Sequence, residues 1–316
     1  MKKTGLLLIL ALALAANAQQ ASDQGSSDKT VATNVNFPTE RLATPTNSDL
    51  YCAGFVNKSP LPDANFIAGG VDTPNTTKYG DGEIVYLTGK GYELDKRYSI
   101  VRALRDPNRF ETYAGQQAML KAMGQPYADL GILRVVDIRS KMAIAKIELS
   151  CNAIMPGDTV VPFIERTSIE YHDAVQFDRF ASPNGKATGR IVLAKDFDSE
   201  LGTGHKVYLN LGANQGIKAG DYFRAVRSYE GDLHNPVDSL SFKASAEDDT
   251  QAKPPSVEPA MLSRNAGPTI HVADFPRRAV GEIVILSTTP TTSTGMIVFA
   301  IEDVHIGDVV ELDPQQ

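Results

Sequence analysis

The chain has 316 residues, 42% of them apolar, with 31 basic against 38 acidic side chains and a net charge of −7. That length and apolar content suffice for two ordinary cores. The acidic balance excludes a phosphate-backbone partner, which proteins hold chiefly through Lys and Arg, and with no Trp in the chain nothing advertises a sugar-stacking platform.

The opening "MKKTGLLLILALALAANAQQ" places two lysines before an apolar run and ends in small residues at Ala16 and Ala18. This is the layout of a secretory signal peptide, residues 1–18, with cleavage expected after Ala18. The run is too short for a membrane span, which needs about 20 apolar residues. Removal of Lys2 and Lys3 leaves a mature balance of 29 to 38, or −9. The expected product is exported, periplasmic or extracellular, with no membrane span. Residues 19–49 are polar and poor in large apolar side chains, and are read as a disordered tether.

Structure is expected from residue 50. The stretch "LGILRVVDIRSKMAIAKIELSCNAIMPGDTVVPF" (130–163) matches "VGEIVILSTTPTTSTGMIVFAIEDVHIGDVVELD" (280–313) without a gap at an offset of 150. The alternating face Ala143, Ala145, Ile147, Leu149 and Cys151 maps to Ser293, Gly295, Ile297, Phe299 and Ile301. Upstream, "GEIVYLTGKGYELDKRYSIVRAL" (82–104) pairs with "GHKVYLNLGANQGIKAGDYFRAVRSY" (204–229), with three extra residues absorbed in a turn. The leading strands are "NFIAGG" (65–70) and "TGRIVLAKDF" (188–197). Short apolar runs punctuated by Gly, Asp, Asn and Pro predict a mainly β chain of two tandem small barrel or sandwich repeats. β module 1 spans 50–163, a connector 164–187, and β module 2 188–313. One helix is predicted, Phe110 to Met123, in the loop of the first copy. At the same place the second copy carries an aperiodic insertion, about 231–274, read as a disordered excursion.

Cys52 and Cys151 are the only cysteines. An even count in an exported chain predicts a disulfide, with a buried thiol on the strand "AIAKIELSC" as the alternative. Gly-Asp precedes a β run at Gly80-Asp81, Gly157-Asp158, Gly220-Asp221 and Gly307-Asp308. Glycine supplies positive φ and aspartate bonds its own turn, so these are read as structural turns rather than a metal or catalytic site. His172, His205, His234, His271 and His305 have no metal-ligand spacing. The acidic run Asp196, Asp198, Glu200 lacks the glycine and terminal glutamate of a calcium loop. No catalytic, cofactor-binding or metal residue is predicted.

The framework "GHKVYLNLGANQGIKAGDYFRAVR" with "VGEIVILSTTPTTSTGMIVFAIEDVHIGDVVEL" resembles the C-terminal domain of the bacterial flagellar assembly protein T. It is also similar to β repeats that follow LysM modules in envelope proteins. The resemblance covers each repeat, about two thirds of the chain, and carries over no functional residue. It implies periplasmic modules that help build or anchor assemblies at the cell wall without catalysis. A non-enzymatic binding or scaffolding protein of the envelope is therefore expected, with an envelope protein or cell-wall polymer as partner. The alternative is a carbohydrate-active or other hydrolase whose carboxylates meet only in three dimensions.

Overall fold

Runs such as "IVYLT" and "RYSIVRA" turn every second side chain to one face, and that face lines a closed barrel. The computed structural model describes residues 43–105, 111–170, 177–198, 200–228, 250–251, 270–271 and 276–313. In chain order the first half contains α1 (Asn47–Tyr51), β1 (Phe55–Asn57), β2 (Phe66–Gly70), β3 (Ile84–Thr88), β4 (Arg97–Ala103), α2 (Gln116–Met123), β5 (Gln125–Ile138), β6 (Ala143–Ser150) and β7 (Thr159–Pro162). The second contains β8 (Thr188–Ala194), β9 (Glu200–Leu201), β10 (Lys206–Leu209), β11 (Tyr222–Arg227), β12 (Thr250–Gln251), β13 (Ile270–His271), β14 (Arg278–Thr288), β15 (Ser293–Ala300), β16 (Val304–His305) and β17 (Val309–Leu312).

Barrel 1 closes in the order β2, β3, β6, β5, β4, β7 and back to β2, with β1 added to β5. Barrel 2 runs β8, β10, β15, β14, β11, β17 and back to β8, the same order strand for strand. The registers repeat as well. Gly131↔Ser150 through Ile138↔Ala143 recurs as Gly281↔Ala300 through Thr288↔Ser293, with both β-bulges at matching positions. The three extra residues of the second copy are accommodated at a 3-10 turn, Ala213–Gln215. Equivalent side chains fill the two cores: Ile67, Leu87, Leu133 and Ile147 in barrel 1, and Ile191, Leu209, Ile283 and Ile297 in barrel 2.

The bulge beside Ile147 corrects one expectation about that face. Ala143, Ala145 and Ile147 point into the core, but Leu149 and Cys151 do not join it, because an extra residue in the ladder changes which way the following side chains face. In barrel 2 the matching Phe299 packs edge-on against Phe177 of the connector, ring centroids 5.3 Å apart.

Four boundaries also differ from the sequence reading. Residues 43–49 of the expected tether are structured, with Ala43 packed on barrel 2, and α1 starts at Asn47 under a capping box in which Thr46 and Asp49 satisfy each other's backbone N–H. That device meets donors the first turn leaves open. The helix expected from Phe110 begins at Gln116, where the Glu111 carboxylate accepts from the N–H of Gly115 and Gln117. Within the insertion, Thr250–Gln251 pairs antiparallel with Ile270–His271, so the reading of an unstructured excursion fails there. The rest of the insertion lies outside the described residues, as do residues 1–42, on which the expected signal peptide and most of the expected tether fall. Finally, the connector is packed: Arg166, Ile169, Phe177 and Arg179 all contact the barrels. Both barrels belong to one compact unit.

Candidate functional site

Gly307-Asp308 and Gly157-Asp158 are true duplicates. Both glycines have positive φ, 107° and 94°. Asp308 Oδ2 accepts from His305 N at 2.8 Å, and Asp158 Oδ2 from Met155 N at 2.6 Å. Each carboxylate also grips an arginine two-handed. Arg227 Nε and Nη2 donate to Asp308 at 2.9 and 2.8 Å, and Arg102 Nε and Nη2 donate to Asp158 at 2.7 and 2.8 Å. The same arginines reach the carbonyls of Asp303 and Ala153. A carboxylate whose oxygens serve a turn N–H and a guanidinium fork is committed to holding strands together. The arginines were the residues sequence reasoning missed, although both end the "VR" of the aligned β4 and β11.

The other two Gly-Asp pairs are not duplicates of each other. Gly82 and Gly204 occupy matching places, donating to Ile147 O and Ile297 O, so the partner of Gly80-Asp81 is Gly202-Thr203. Gly80 does not take positive φ; Gly82 does, at 81°, which corrects the expectation for Gly80. Gly220, at φ 91°, instead matches Asp95, at φ 61°. Their N–H groups bond to Ile285 O and Val135 O at 2.8 and 2.9 Å. Asp221 bonds its own turn, accepting from Lys218 N at 2.8 Å.

Among the described residues no group of three or more His, Cys, Asp or Glu gathers as a metal set. His205 bonds locally to Gly202. Asp196 and Asp198 are exposed at the 3-10 turn Lys195–Phe197. His172, His234 and the side chains of His271 and Glu200 lie outside the described residues.

Chemistry-bearing groups concentrate in two other places. The first is the seam between the barrels. Cys52 and Cys151 are bonded, as expected, with Cα atoms 5.5 Å apart, which fixes the end of α1 to the end of β6. The segment around and after Cys52, residues 50–56, forms a strap that runs over barrel 2. Asp129 of β5 sits beneath it, accepting from Gly54 N at 3.0 Å and Arg166 Nη2 at 2.9 Å. Burial raises the Asp129 pKa, opposed by Arg166 and the Gly54 N–H. Tyr208 of β10 donates to Ala53 O at 3.0 Å, and its hydroxyl is raised well above the ordinary range by burial and then by Asp129. A second inter-barrel contact closes one end of barrel 2: Tyr113, from the loop before α2, packs on Gly307 with the Arg190 guanidinium 5.2 Å over its ring. Burial lifts the Tyr113 hydroxyl to about 12.

The second concentration lies on the outside of β11, β14 and β17. Arg224 is cross-strand neighbour to Glu282 and to Glu311, and bonds Asp313 at 3.4 Å. Arg277 holds Glu311 at 3.0 Å, and Arg278 holds Glu302 at 3.0 Å. Phe177 lies 5.7 Å from the Arg224 guanidinium, and Arg224 Nε is buried without a hydrogen-bond partner among the described residues. Burial, with Asp313 adding and Arg224 opposing, pushes Glu282 up to about 7. A carboxyl near neutrality beside a second carboxylate can exchange protons with a substrate. Yet Glu282 and Asp313 are each only 8% exposed, so they offer a substrate little surface. No protein-family model matches the chain, and no curated protein matches it.

Proposed function

We propose that the chain is an exported, non-enzymatic binding or scaffolding component of a bacterial envelope. One observation carries the reading: the outer wall of barrel 2 is a docking surface for the segment that leads from the end of α1 into β1, residues 50–56, which it holds by side-chain hydrogen bonds and apolar contact. A module that binds a short chain segment on its outside through that segment's backbone carbonyls is suited to binding segments of other molecules. The leader layout and the disulfide agree with export. The resemblance of each repeat to envelope-assembly modules points the same way. Affinity capture of the tagged mature protein from its native envelope tests this. A defined protein or cell-wall polymer should co-purify at near-stoichiometric yield, and recovery of the chain alone would overturn the reading.

The alternative, a hydrolase, is favoured by the Glu282 and Asp313 carboxyl pair. It requires glycan or ester turnover by the wild type that Glu282→Gln abolishes at undiminished melting temperature.

A further inference from the structure

On barrel 2 the outward positions Tyr208, Thr294, Thr292 and Leu286 are all occupied by the strap. Tyr208 Oη donates to Ala53 O at 3.0 Å, Thr294 Oγ1 to Gly54 O at 2.9 Å and Thr292 Oγ1 to Val56 O at 2.7 Å. Leu50 and Ala53 belong to one apolar cluster with Leu286. Side-chain donors therefore read backbone carbonyls while apolar side chains supply the burial. Just before it, α1 adds one charge contact beside this face, Asp49 to Lys206 Nζ at 2.6 Å. Hydrogen bonds from Lys206 and Thr46 outweigh burial and hold Asp49 below the ordinary carboxylate range.

The strand registers identify the matching positions on barrel 1 as Tyr86, Ile144, Met142 and Val136. They lie open. Val136 is 45% and Met142 43% exposed, with neighbouring Ile138 at 46%, and Tyr86 and Ile144 are half-buried. The tyrosine donor is kept, while two threonines are replaced by Ile and Met, so this face is the more apolar of the two. Contiguous exposed apolar surface of this kind marks an interaction site.

The charges around it select the occupant. Arg97 and Arg134 share Glu148, Arg134 also reaches Asp95, and Arg139 pairs with Asp137. Lys141 and Lys146 are exposed and have no ion-pair partner among the described residues. This is a local positive surplus on a chain of net charge −7. The geometry points to a docking site for an extended peptide segment of another protein, one carrying apolar side chains and at least one carboxylate. The strap of a second copy is a poor candidate, because the disulfide and the barrel 2 hydrogen bonds hold it in its own molecule. The inference rests on the reading of the chain as a binding protein and names the face and the class of partner.

The test is selection of a displayed library of random linear 15-residue peptides on the intact, disulfide-bonded chain. Enriched peptides should combine apolar residues with Asp or Glu. Their affinity should fall about tenfold or more on Val136→Asp and several-fold on Lys146→Glu. Both sites are exposed, so both variants should melt with the wild type. Binders unaffected by Val136→Asp, or enrichment of basic peptides, would overturn the proposal. So would a dimer in sedimentation that Val136→Asp dissolves, which assigns the face to a second copy. Uptake onto phosphatidylglycerol vesicles lost in the same variant would assign it to lipid instead. An envelope partner that stays bound to Val136→Asp would reject this face and leave the binding reading standing.

Discussion

The two barrels share strand order, register and the Arg–Asp clamp, and they differ in what their outer walls present. Along β4, β5 and β6 the outward positions of barrel 1 are Arg97, Arg134, Lys146 and Glu148, and the matching residues of barrel 2 are Tyr222, Val284, Met296 and Val298. In the first set Arg97 and Arg134 pair with Glu148 and Lys146 is exposed to solvent. The second is buried beneath α1 and the segment around it. The inward face is set by the barrel, which needs an apolar side chain at every second position. The outward face is free to vary, and its variation turned one copy into a surface and the other into a second core. Matched substitutions in the two copies should therefore behave unlike each other.

The largest effect should come from the strap's anchor. Cys52→Ala with Cys151→Ala opens a loop closed across 99 positions, for which the chain-entropy account gives about 4–5 kcal/mol. The strap touches both barrels, so urea unfolding should shift for the molecule as a single transition. Hydrogen exchange should quicken in β14 and β15 as well as in β6. Faster exchange confined to barrel 1 would mean that the strap stays docked on barrel 2 without its bond.

Next come the duplicated clamps. Arg227 and Asp308 are both 4% exposed, whereas Arg102 is 30% exposed opposite a buried Asp158. Asp308→Asn leaves a guanidinium buried without its counter-charge and should cost about 3 kcal/mol. Asp158→Asn should cost about half as much, since water reaches Arg102. Equal losses in thermal unfolding would show that burial does not separate the copies. The same logic applies to the walls: Leu286→Ala should cost about 2–3 kcal/mol, and Val136→Ala less than about 0.5 kcal/mol.

Glu282 adds a dependence on pH that barrel 1 lacks at the matching position, Ile132. Its carboxyl ionises near 4.5 when unfolded and about 7 when folded. Between those values the folded chain keeps a proton that the unfolded chain has lost, so stability should fall as pH rises from about 4.5 to 7 and then level off. The whole change is on the order of 3 kcal/mol. Glu282→Gln should flatten the curve, and an unaltered slope in that variant would place the titration elsewhere.

Much of this design is legible in the sequence, and its limits have physical causes. Ile147 and Ile297 could be paired because barrel cores demand period-2 alternation, and the disulfide follows from an even cysteine count in a chain whose leader layout predicts export. The contrast between the walls was also written there: "RAVGEIVIL" in β14 is almost continuously apolar, the mark of a strand buried on both faces, whereas "GILRVVDIR" is interrupted by Arg134, Asp137 and Arg139. The helix start at Gln116 depends on a glutamate five residues earlier, and Thr46 with Asp49 forms a cap inside a polar stretch that composition alone reads as tether. The clamp was least legible. Arg227 and Asp308 are 81 positions apart, and nothing local in a Gly-Asp turn announces a distant guanidinium.

The smallest contrast concerns Gly307 and Gly157, the same turn in the two copies. Alanine at either position forces a Cβ into left-handed backbone, which costs about 1 kcal/mol. At Gly157 the added carbon meets open space, and at Gly307 it lies 2.9 Å from Tyr113 Cδ1. Gly307→Ala should therefore lose about 1 kcal/mol more than Gly157→Ala, because the Tyr113 ring must move off a packed end of barrel 2 and away from Arg190. The added term belongs to Tyr113, so it should vanish in that residue's absence: in a Tyr113→Ala background the two glycine substitutions should cost the same. A double-mutant cycle by thermal unfolding measures the coupling directly. A coupling of zero would mean that the loop carrying Tyr113 yields freely and that the end of barrel 2 is closed by its own turn alone.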